Sequence, residues 1–404
     1  MPGKTIAEKI LSAHSGRGVF AGEITICGVD RIMIHDANGP LAIRAFRNMG
    51  GIKVPAPDKI VVIFDHCTPP STEKLANIHA FIREFVKEQN CHFYEGGRGV
   101  CHQLMVESDF MQPGDLVIGS DSHTCTYGAL GVLSTGLGAT DIATAMYSGK
   151  LWFRVPQTIR MELKGEMPKA CSAKDVILSI IGLLGAKGAN YKSVEFYGDC
   201  LESCTLSQRL TMANMLVEMG AKCGFICHSG LGIVADSDAV YCKIVELDVS
   251  QLTPMVAKPH TVDNVCPVTE VEGIPIQQAV LGSCTNGRLE DLQTVARILN
   301  GKHIKEGVRL LVLPASETIL KEAVDDGTVS TLIDAGATIC TPGCGVCVGT
   351  LGGVPADGEA VISSTNRNFK GRMGNNKASI YLASPETVAV TALHGRITDP
   401  RRED

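Results

Sequence analysis

The segment KIVVIFDH, residues 59–66, shows the pattern that decides the fold. Its apolar run predicts a buried strand, and the chain then continues directly into Asp65 and His66. The same order of an apolar run followed by reactive side chains recurs at four places, where LVI precedes GSDSH (119–123), AVL precedes GSC (282–284), ATI precedes the PGCGVC loop (342–347), and AVI precedes SSTNR (363–367). Ligands of open α/β sheets bind outside the carboxyl ends of the strands, so the five clusters predict a ligand site.

Around these segments, short β-branched runs alternate with glycine-rich turns and helical stretches. This alternation favours an α/β fold with mainly parallel sheets. Proline-containing segments at residues 154–157 and 258–267 interrupt it. We therefore expect three α/β domains, over residues 1–155, 156–266 and 267–404. Residues 128–138 are rich in glycine but match no nucleotide-binding motif, so we interpret them as a tight turn with close packing.

The composition is that of an ordinary globular protein, with 404 residues, a net charge of −6 and 45% hydrophobic residues. It argues against nucleic-acid binding. No apolar run approaches the roughly 18 residues of a membrane span, and the amino terminus lacks an apolar targeting segment. We therefore expect a cytoplasmic protein without membrane contact. In a reducing compartment the 16 cysteines would be mostly buried small residues, such as Cys171 and Cys242, and not disulfides.

Three cysteines stand apart, because Cys284 lies in GSCTN and Cys344 and Cys347 lie in PGCGVC. Four thiolates close a [4Fe–4S] cluster for electron transfer, whereas three leave one iron open as a Lewis acid. The neighbouring glycines permit close backbone approach to a bulky inorganic core. A zinc centre and three unrelated thiols are the alternatives, but zinc normally requires a fourth nearby ligand.

Cys340 offers a competing motif. Cys340-x3-Cys344-x2-Cys347 has the spacing of a radical S-adenosylmethionine enzyme. Fewer than about 65 residues follow it, too few for most of the barrel that such enzymes resemble. We expect Cys340 to be a buried strand residue.

Two carboxylate–imidazole pairs follow predicted strands, Asp65-His66 and Asp121-Ser122-His123. A carboxylate next to an imidazole orients it and raises its basicity. The alternative for either pair is a hydrogen-bonded corner without a catalytic role. His102 is a weak candidate when it is considered individually.

The remaining candidates are two pairs that are weak when each is considered alone. Arg367 and Arg372 follow a predicted strand, and a guanidinium suits bidentate capture of a carboxylate, although a surface salt bridge is the alternative. Asn214 and Glu218 are four residues apart, which places them on one face of a helix, where they could equally be an exposed pair.

Together, the GSDSHT, GSCTNGR, PGCGVC and STNRNFKGR motifs and their order resemble the aconitase superfamily. The resemblance is to the large subunit of its two-subunit branch, which contains 3-isopropylmalate isomerase and homoaconitase. It covers residues 34–372 and implies an aconitase-like three-domain α/β/α assembly around a central cluster site. The implied activity is that of a hydro-lyase acting on an alkylmalate or related hydroxy-diacid, with 3-isopropylmalate isomerisation in leucine biosynthesis favoured.

The resemblance also implies residue roles. Cys284, Cys344 and Cys347 would bind one [4Fe–4S] cluster with an open iron, and Asn366 would support it. The implied catalytic network around the leaving hydroxyl comprises Asp65, His66, His102, Asp121, His123 and Glu218. The implied substrate-binding residues are His35, Ser122, Asn214, Arg367 and Arg372. His35 occupies the place of a substrate-contacting glutamine in aconitases, and its HDANG context departs from the more familiar HD-x-T form.

Single-chain aconitases carry a mobile fourth domain, whereas this chain ends 32 residues after Arg372 (404 − 372). By resemblance, we expect a separate small subunit to carry that domain and complete the site. Homoaconitase and a dimethylmalate-type dehydratase are close alternatives. An RNA-binding regulator on the same fold and an electron-transfer iron–sulfur protein are remote ones.

Overall fold

The first third of the chain forms a parallel five-stranded sheet and an antiparallel ribbon. The structure is a computed structural model that describes residues 2–403. The elements in order are α1 (Ile6–Ser15), β1 (Ile24–Gly28), β2 (Arg31–His35), α2 (Gly39–Asn48), a 3₁₀ turn (Pro57–Lys59), β3 (Ile60–Ile63), α3 (Glu73–Gln89), β4 (His92–Tyr94), α4 (Cys101–Glu107), β5 (Leu116–Gly119), a 3₁₀ segment (Ser122–Leu130), β6 (Leu133–Gly136), α5 (Ala139–Ser148) and β7 (Lys150–Arg154). The sheet has the order β4-β3-β2-β5-β6, and β1 pairs with β7.

The middle of the chain forms a second parallel sheet with the order β10-β9-β8-β11. Its elements are β8 (Thr158–Lys164), α6 (Ala173–Leu184), β9 (Ser193–Tyr197), α7 (Cys200–Ser203), α8 (Leu206–Asn214), a 3₁₀ turn (Met215–Met219), β10 (Cys223–Ile226), β11 (Lys243–Asp248) and a 3₁₀ turn (Val249–Gln251). Helix α8 begins at a capping box in which Thr205 and Gln208 satisfy each other's backbone amides.

The last part forms a seven-stranded sheet with the order β13-β12-β18-β17-β14-β15-β16. Its elements are β12 (Met255–Ala257), β13 (Val265–Pro267), a 3₁₀ turn (Val268–Glu270), β14 (Gln278–Gly282), α9 (Ser283–Asn286), α10 (Leu289–Leu299), β15 (Arg309–Leu313), α11 (Glu317–Asp325), α12 (Thr328–Asp334), β16 (Thr338–Ile339), α13 (Gly345–Val348), β17 (Ala360–Ser363), β18 (Ser379–Leu382), α14 (Pro385–His394) and a 3₁₀ turn (Pro400–Arg402). Strands β14 to β18 pair in parallel, whereas β12 is antiparallel to both of its neighbours.

The predicted α/β class with mainly parallel sheets is confirmed. All five strands predicted before the reactive clusters are present, as β3, β5, β14, β16 and β17. The three-domain division stays a prediction, and the pairing of β12 and β13 with the last sheet favours a third unit that starts near residue 255. None of the helices within residues 2–403 has the length and apolar character needed to cross a bilayer.

Two expectations about individual cysteines are wrong. Cys340 is only half-buried and follows β16, where its amide donates to the Val312 carbonyl at 2.8 Å. Cys242 is exposed, although Cys171 is buried as expected. The 16 cysteines are free thiols, and most of them are buried.

Close backbone packing explains the glycine-rich stretch at residues 128–138. A Cβ atom at Gly128 would lie 1.7 Å from the carbonyl oxygen of Gly224 in β10, and one at Gly136 would lie 2.3 Å from that of Asp121. The first contact joins the 3₁₀ segment of the first sheet to the second sheet. Only a residue without a side chain permits this approach.

We predict that Gly128→Ala destabilises the protein by about 1–3 kcal/mol, because the new methyl group meets backbone that cannot rotate away. The measurement is the midpoint of thermal unfolding. Gly28→Ala is the matched control, since a Cβ there meets nothing within 4 Å. Equal midpoints for the two variants would contradict this account of the packing.

Candidate active site

Four of the predicted site residues lie at the points where two of the sheets reverse their strand order. In the first sheet, β2 and β5 are neighbours, and they lead into His35 and Asp121 respectively. In the last sheet, β14 and β17 are neighbours, and they lead into Cys284 and Asn366. Such reversal points leave a crevice between the outgoing loops, which is where open α/β sheets bind ligands.

A cavity of about 540 Å³ occupies this crevice. The predicted residues that line it are His35, His66, His102, Asp121, Ser122, His123, Cys284, Cys344, Asn366, Arg367 and Arg372. The other four, Asp65, Asn214, Glu218 and Cys347, contact lining residues through hydrogen bonds. The structure therefore brings all of the sequence-predicted site residues together.

Asp121 is the centre of an imidazole cluster. Its carboxylate oxygens lie 2.7 Å from His102 Nε2, 3.3 Å from His123 Nδ1 and 3.5 Å from His66 Nε2. Burial by itself raises the pKa of Asp121, but its hydrogen bonds with the three imidazoles hold that pKa well below its ordinary value. Asp121 is therefore a carboxylate at neutral pH.

Glu218 connects this cluster to the last sheet. One of its carboxylate oxygens lies 3.0 Å from His123 Nε2 and accepts a 2.7 Å hydrogen bond from Arg367 Nε. Burial raises the pKa of Glu218, whereas the contacts with His123 and Arg367 outweigh it and lower that pKa. The expectation that Asn214 and Glu218 share one helix is inaccurate, because α8 ends at Asn214 and Glu218 lies in the 3₁₀ turn that follows.

His66 and His35 have opposite protonation tendencies. His66 Nδ1 lies 2.7 Å from the Asp65 carboxylate, and the His35 ring stacks on it with centroids 4.0 Å apart. Burial lowers the pKa of His66, but the charge of Asp65 and the contact with Asp121 raise it well above its ordinary value. Burial, and then the charge of His66, lower the pKa of His35. In this stack, therefore, His66 favours the protonated form and His35 favours the neutral form.

Asp36, which sequence reasoning missed, shapes the turn that carries His66. Its carboxylate accepts hydrogen bonds from the amides of Asp65, His66 and Cys67 at 3.3, 2.9 and 2.8 Å. It also lies 3.2 Å from His79 Nε2. Burial raises the pKa of Asp36, but these contacts outweigh it and lower the pKa to about 2. The only signal for Asp36 in the sequence was that it directly follows His35, which is a predicted site residue.

Amide and guanidinium donors contact two of the three cysteines, Cys284 and Cys347. Cys284 Sγ accepts hydrogen bonds from Asn214 Nδ2 at 3.3 Å and Asn366 Nδ2 at 3.2 Å. Cys347 Sγ accepts one from Arg372 Nη2 at 3.3 Å. The hydrogen bond from Cys344 and the charge of Arg372 lower the pKa of Cys347 well below its ordinary value, despite burial. Cys347 is thus disposed to be a thiolate, which is the form that binds iron. Burial raises the pKa of Cys284, and the hydrogen bond with Cys347 together with burial raises the pKa of Cys344.

The three cysteine sulfurs are not gathered as closely as the ligands of a single zinc ion would be. Sulfurs on one tetrahedral zinc lie about 4 Å apart, because each Zn–S bond is about 2.3 Å. Within residues 2–403, the clusters whose ligand atoms all lie within 4.8 Å of one another do not include Cys284, Cys344 and Cys347. In this arrangement the three sulfurs do not form a single-zinc site.

Two further residues, which sequence analysis did not identify, hold the loops of the site. The Arg288 guanidinium donates to the carbonyls of Cys284 and Thr285, both at 2.9 Å. The fully buried Lys174 ammonium donates to the carbonyls of Ser364 and Thr365 at 2.6 and 2.7 Å. These contacts fix the backbone next to Cys284 and Asn366. Arg288 is part of the quoted GSCTNGR motif, but Lys174 gave no sequence signal.

The model of the aconitase family (aconitate hydratase) matches residues 8–230 and 227–395. The chain belongs to the aconitase family. The match spans all three sheets and every candidate site residue. Membership of this family implies a [4Fe–4S] cluster, in agreement with the donor set around the three cysteines.

Relatives are similar over nearly the whole chain. The chain is 49% identical to the 3-isopropylmalate dehydratase large subunit 2 of Archaeoglobus fulgidus and 47% identical to the large subunit 1 of Methanopyrus kandleri, with 99% of both chains covered in each case. It is 46% identical to the probable methanogen homoaconitase large subunit of Methanosarcina mazei, over 93% of this chain and 100% of that one.

A solved structure supports the fold. The holo-form of aconitase X from Thermococcus kodakaraensis aligns with a TM-score of 0.54 at 12% identity, over 84% of each chain. At this identity the likeness concerns the fold alone.

We predict that Asp36→Ala lowers stability by about 3 kcal/mol at pH 7, because several buried donors lose a charged acceptor. The folded-state pKa of Asp36 is about 2, below its ordinary value of 3.8. Its contribution is therefore complete above about pH 5 and disappears as the pH falls towards 2. The measurement is the urea midpoint of wild type and variant between pH 7 and pH 3.

The exposed Asp58 provides the control Asp58→Ala, which leaves the urea midpoint unchanged. A stability difference between wild type and Asp36→Ala that stays constant down to pH 3 would contradict the role of the Asp36 charge.

Proposed function

We propose that this chain is the large subunit of a hydro-lyase that interconverts 2-isopropylmalate and 3-isopropylmalate by dehydration and rehydration, in leucine biosynthesis. The observation that carries the proposal is a single cavity lined by cysteines, a carboxylate-linked histidine cluster and two arginines. The names of the relatives, which are 43–49% identical, support the substrate.

The proposed cofactor site consists of Cys284, Cys344 and Cys347, with Asn366 as a support. A [4Fe–4S] cluster held by three cysteines supplies, when bound, an open iron that acts as a Lewis acid on a substrate oxygen. Asn214 bridges the cysteine loop and Asn366, since its Oδ1 accepts from Asn366 Nδ2 at 3.0 Å and its Nδ2 donates to Cys284 Sγ at 3.3 Å. This bridge holds the Cys284 sulfur next to Asn366.

The histidine cluster is suited to protonating a leaving hydroxyl. Hydroxide is a poor leaving group, so its departure requires a proton donor within hydrogen-bond reach. His66 lines the cavity, and its raised pKa keeps it protonated at neutral pH. Asp121 orients His66, His102 and His123 and stabilises the charge of His66. We assign delivery of the proton to these histidines. Asp65 and Glu218 are the carboxylates that contact His66 and His123.

The arginines are suited to binding substrate carboxylate. The proton removed from the substrate is α to a carboxylate, so negative charge develops there during elimination. Arg367 and Arg372 line the cavity next to the cysteines, and fixed cationic donors stabilise such charge. Ser122 and His35 line the same cavity and complete the proposed substrate contacts.

The partner is the second component of the proposal. The relatives are named as large subunits, which implies a small-subunit partner for those proteins. We propose that a separate small subunit carries the mobile domain, covers the cavity and supplies the base. The chain alone would then have little activity.

Homoaconitase is the second candidate, because the relative from Methanosarcina mazei carries that name at 46% identity. The two reactions share dehydration and rehydration of a hydroxy-acid and differ in the substituent. The residues around the cysteines suit both, so turnover is the discriminating test.

We predict that anaerobic reconstitution with iron and sulfide gives a [3Fe–4S] electron paramagnetic resonance signal after mild oxidation, reversed by ferrous iron. Cys284→Ser, Cys344→Ser and Cys347→Ser each abolish it, because each removes one of three thiolates. Cys340→Ser is the matched control and retains it, since Cys340 does not line the cavity and its Sγ donates to the Thr338 carbonyl at 3.9 Å, away from the lining residues that Cys347 contacts. A zinc-filled site, or loss of the signal in Cys340→Ser, would contradict the ligand set.

We predict that the reconstituted chain, combined with the small subunit from the same organism, converts 2-isopropylmalate with a higher kcat/KM than homocitrate. Asp121→Asn lowers kcat by about 10²–10⁴-fold, the usual contribution of general acid–base catalysis. Asp58→Asn is the surface control. A preference for homocitrate would contradict the isopropylmalate assignment and favour homoaconitase. Unchanged activity of the Asp121→Asn enzyme would contradict a role of Asp121 in the reaction.

A further inference from the structure

The cavity has a second cationic end, which is formed by the loops that precede β9 and β10. Lys222, directly before β10, lines the cavity together with Asn190, Tyr191, Gly220 and Ala221. These loops lie at the amino ends of the strands of the second sheet. The cysteines and histidines, by contrast, follow the carboxyl ends of strands in the other two sheets.

The Lys222 ammonium has no carboxylate partner within 4.0 Å among residues 2–403. Its nearest aromatic contact is the Tyr191 ring, whose centroid lies 5.5 Å from Nζ. Burial lowers the pKa of Lys222, and the charges of Cys223 and Asp141 oppose this effect without outweighing it. A cation that is mostly removed from water and lacks an anion is costly unless a ligand supplies one.

The other cations of the cavity are already engaged. Arg367 Nε donates to Glu218 at 2.7 Å, and Arg372 Nη2 donates to Cys347 Sγ at 3.3 Å. Each arginine retains further donors, but part of its charge is balanced by protein. Lys222 is therefore the lining cation whose charge the described residues leave unbalanced.

Tyr191 is held in an unusual conformation next to Lys222. Its φ of 55° is in the left-handed region, which costs a residue with a side chain about 1 kcal/mol or more. Its amide donates to the Gly220 carbonyl at 3.0 Å, and its hydroxyl donates to the Arg154 carbonyl at 3.4 Å. These bonds place the ring over the ammonium. Strain of this kind persists where the surroundings impose it, often at ligand sites.

We propose that Lys222, covered by Tyr191, is a carboxylate-binding subsite of the cavity. It takes the substrate carboxylate that is distant from the cysteines, while Arg367 and Arg372 take the nearer one. The proposal rests on the proposed function, because it requires a substrate with two carboxylates. A dicarboxylate would then span the cavity between two cationic ends, and the subsite would select diacids over monoacids.

The test uses the reconstituted complex of large and small subunits, with succinate and butyrate as inhibitors of matched length. Lys222→Met is expected to raise the KM for 2-isopropylmalate and the inhibition constant of succinate by about 10–100-fold, the range for a hydrogen bond to a charged group. The expected change in kcat is less than threefold. Inhibition by butyrate stays unchanged, and Lys222→Arg restores most of the affinity for succinate.

Lys187→Met is the control, because Lys187 is exposed in the same region and its variant should behave as wild type. An unchanged succinate constant in Lys222→Met, or a fall in kcat without a change in KM, would overturn the subsite. Weaker association of the two subunits at unchanged succinate affinity would also overturn the subsite, and it would assign Lys222 to the subunit interface.

Failure of the proposed function is distinguishable from failure of the subsite. If wild type binds succinate in a calorimetric titration, Lys222→Met does not, and wild type does not convert 2-isopropylmalate, the subsite stands and the reaction is wrong. If wild type converts 2-isopropylmalate and Lys222→Met does so with the same KM, the reaction stands and the subsite is wrong. Wild type that neither converts this substrate nor binds succinate overturns both.

Discussion

The buried negative charge of Asp121 is the constraint on which the rest of the site depends. Removal of a carboxylate from water costs several kcal/mol unless partners compensate it. Asp121 is compensated by His66, His102 and His123, which come from the loop after β3, from α4 and from the 3₁₀ segment after β5. These separate elements must converge on one carboxylate. The charge of Asp65 and the contact with Asp121 together raise the pKa of His66, so folding and the proposed chemistry depend on one charge network.

The network extends across all three sheets through a few buried polar side chains. Glu218, after α8, joins His123 of the first sheet to Arg367 of the last. Asn214, at the end of α8, joins Cys284 to Asn366. Buried polar groups require such complete pairing, and a fully paired network holds its members rigidly. The cavity therefore acquires its geometry from the packing of the three sheets before any substrate arrives.

Sequence reasoning succeeded for residues that follow predicted strands. The apolar runs before Asp65, Asp121, Cys284 and Asn366 identify strands, and parallel strands bring their carboxyl ends to one edge. The same reasoning missed Asp36 and Lys174, whose importance comes from the backbone groups they bind. It also missed Lys222, because the second sheet presents the amino ends of its strands to the cavity. Local sequence carries no information on how one sheet is oriented towards another.

The sequence by itself determined the α/β class and the strands that lead into the reactive clusters. Through the motifs of those clusters it also determined the family to which the chain belongs. These properties follow from local periodicity and from motifs whose residues are contiguous. Tertiary structure alone decided which imidazole is protonated, which sulfurs receive amide donors, and which cation of the cavity lacks a partner. Those properties depend on burial and on distances between residues far apart in the chain, such as the 3.0 Å between the side chains of Asn214 and Asn366, and burial arises only when the three sheets pack together.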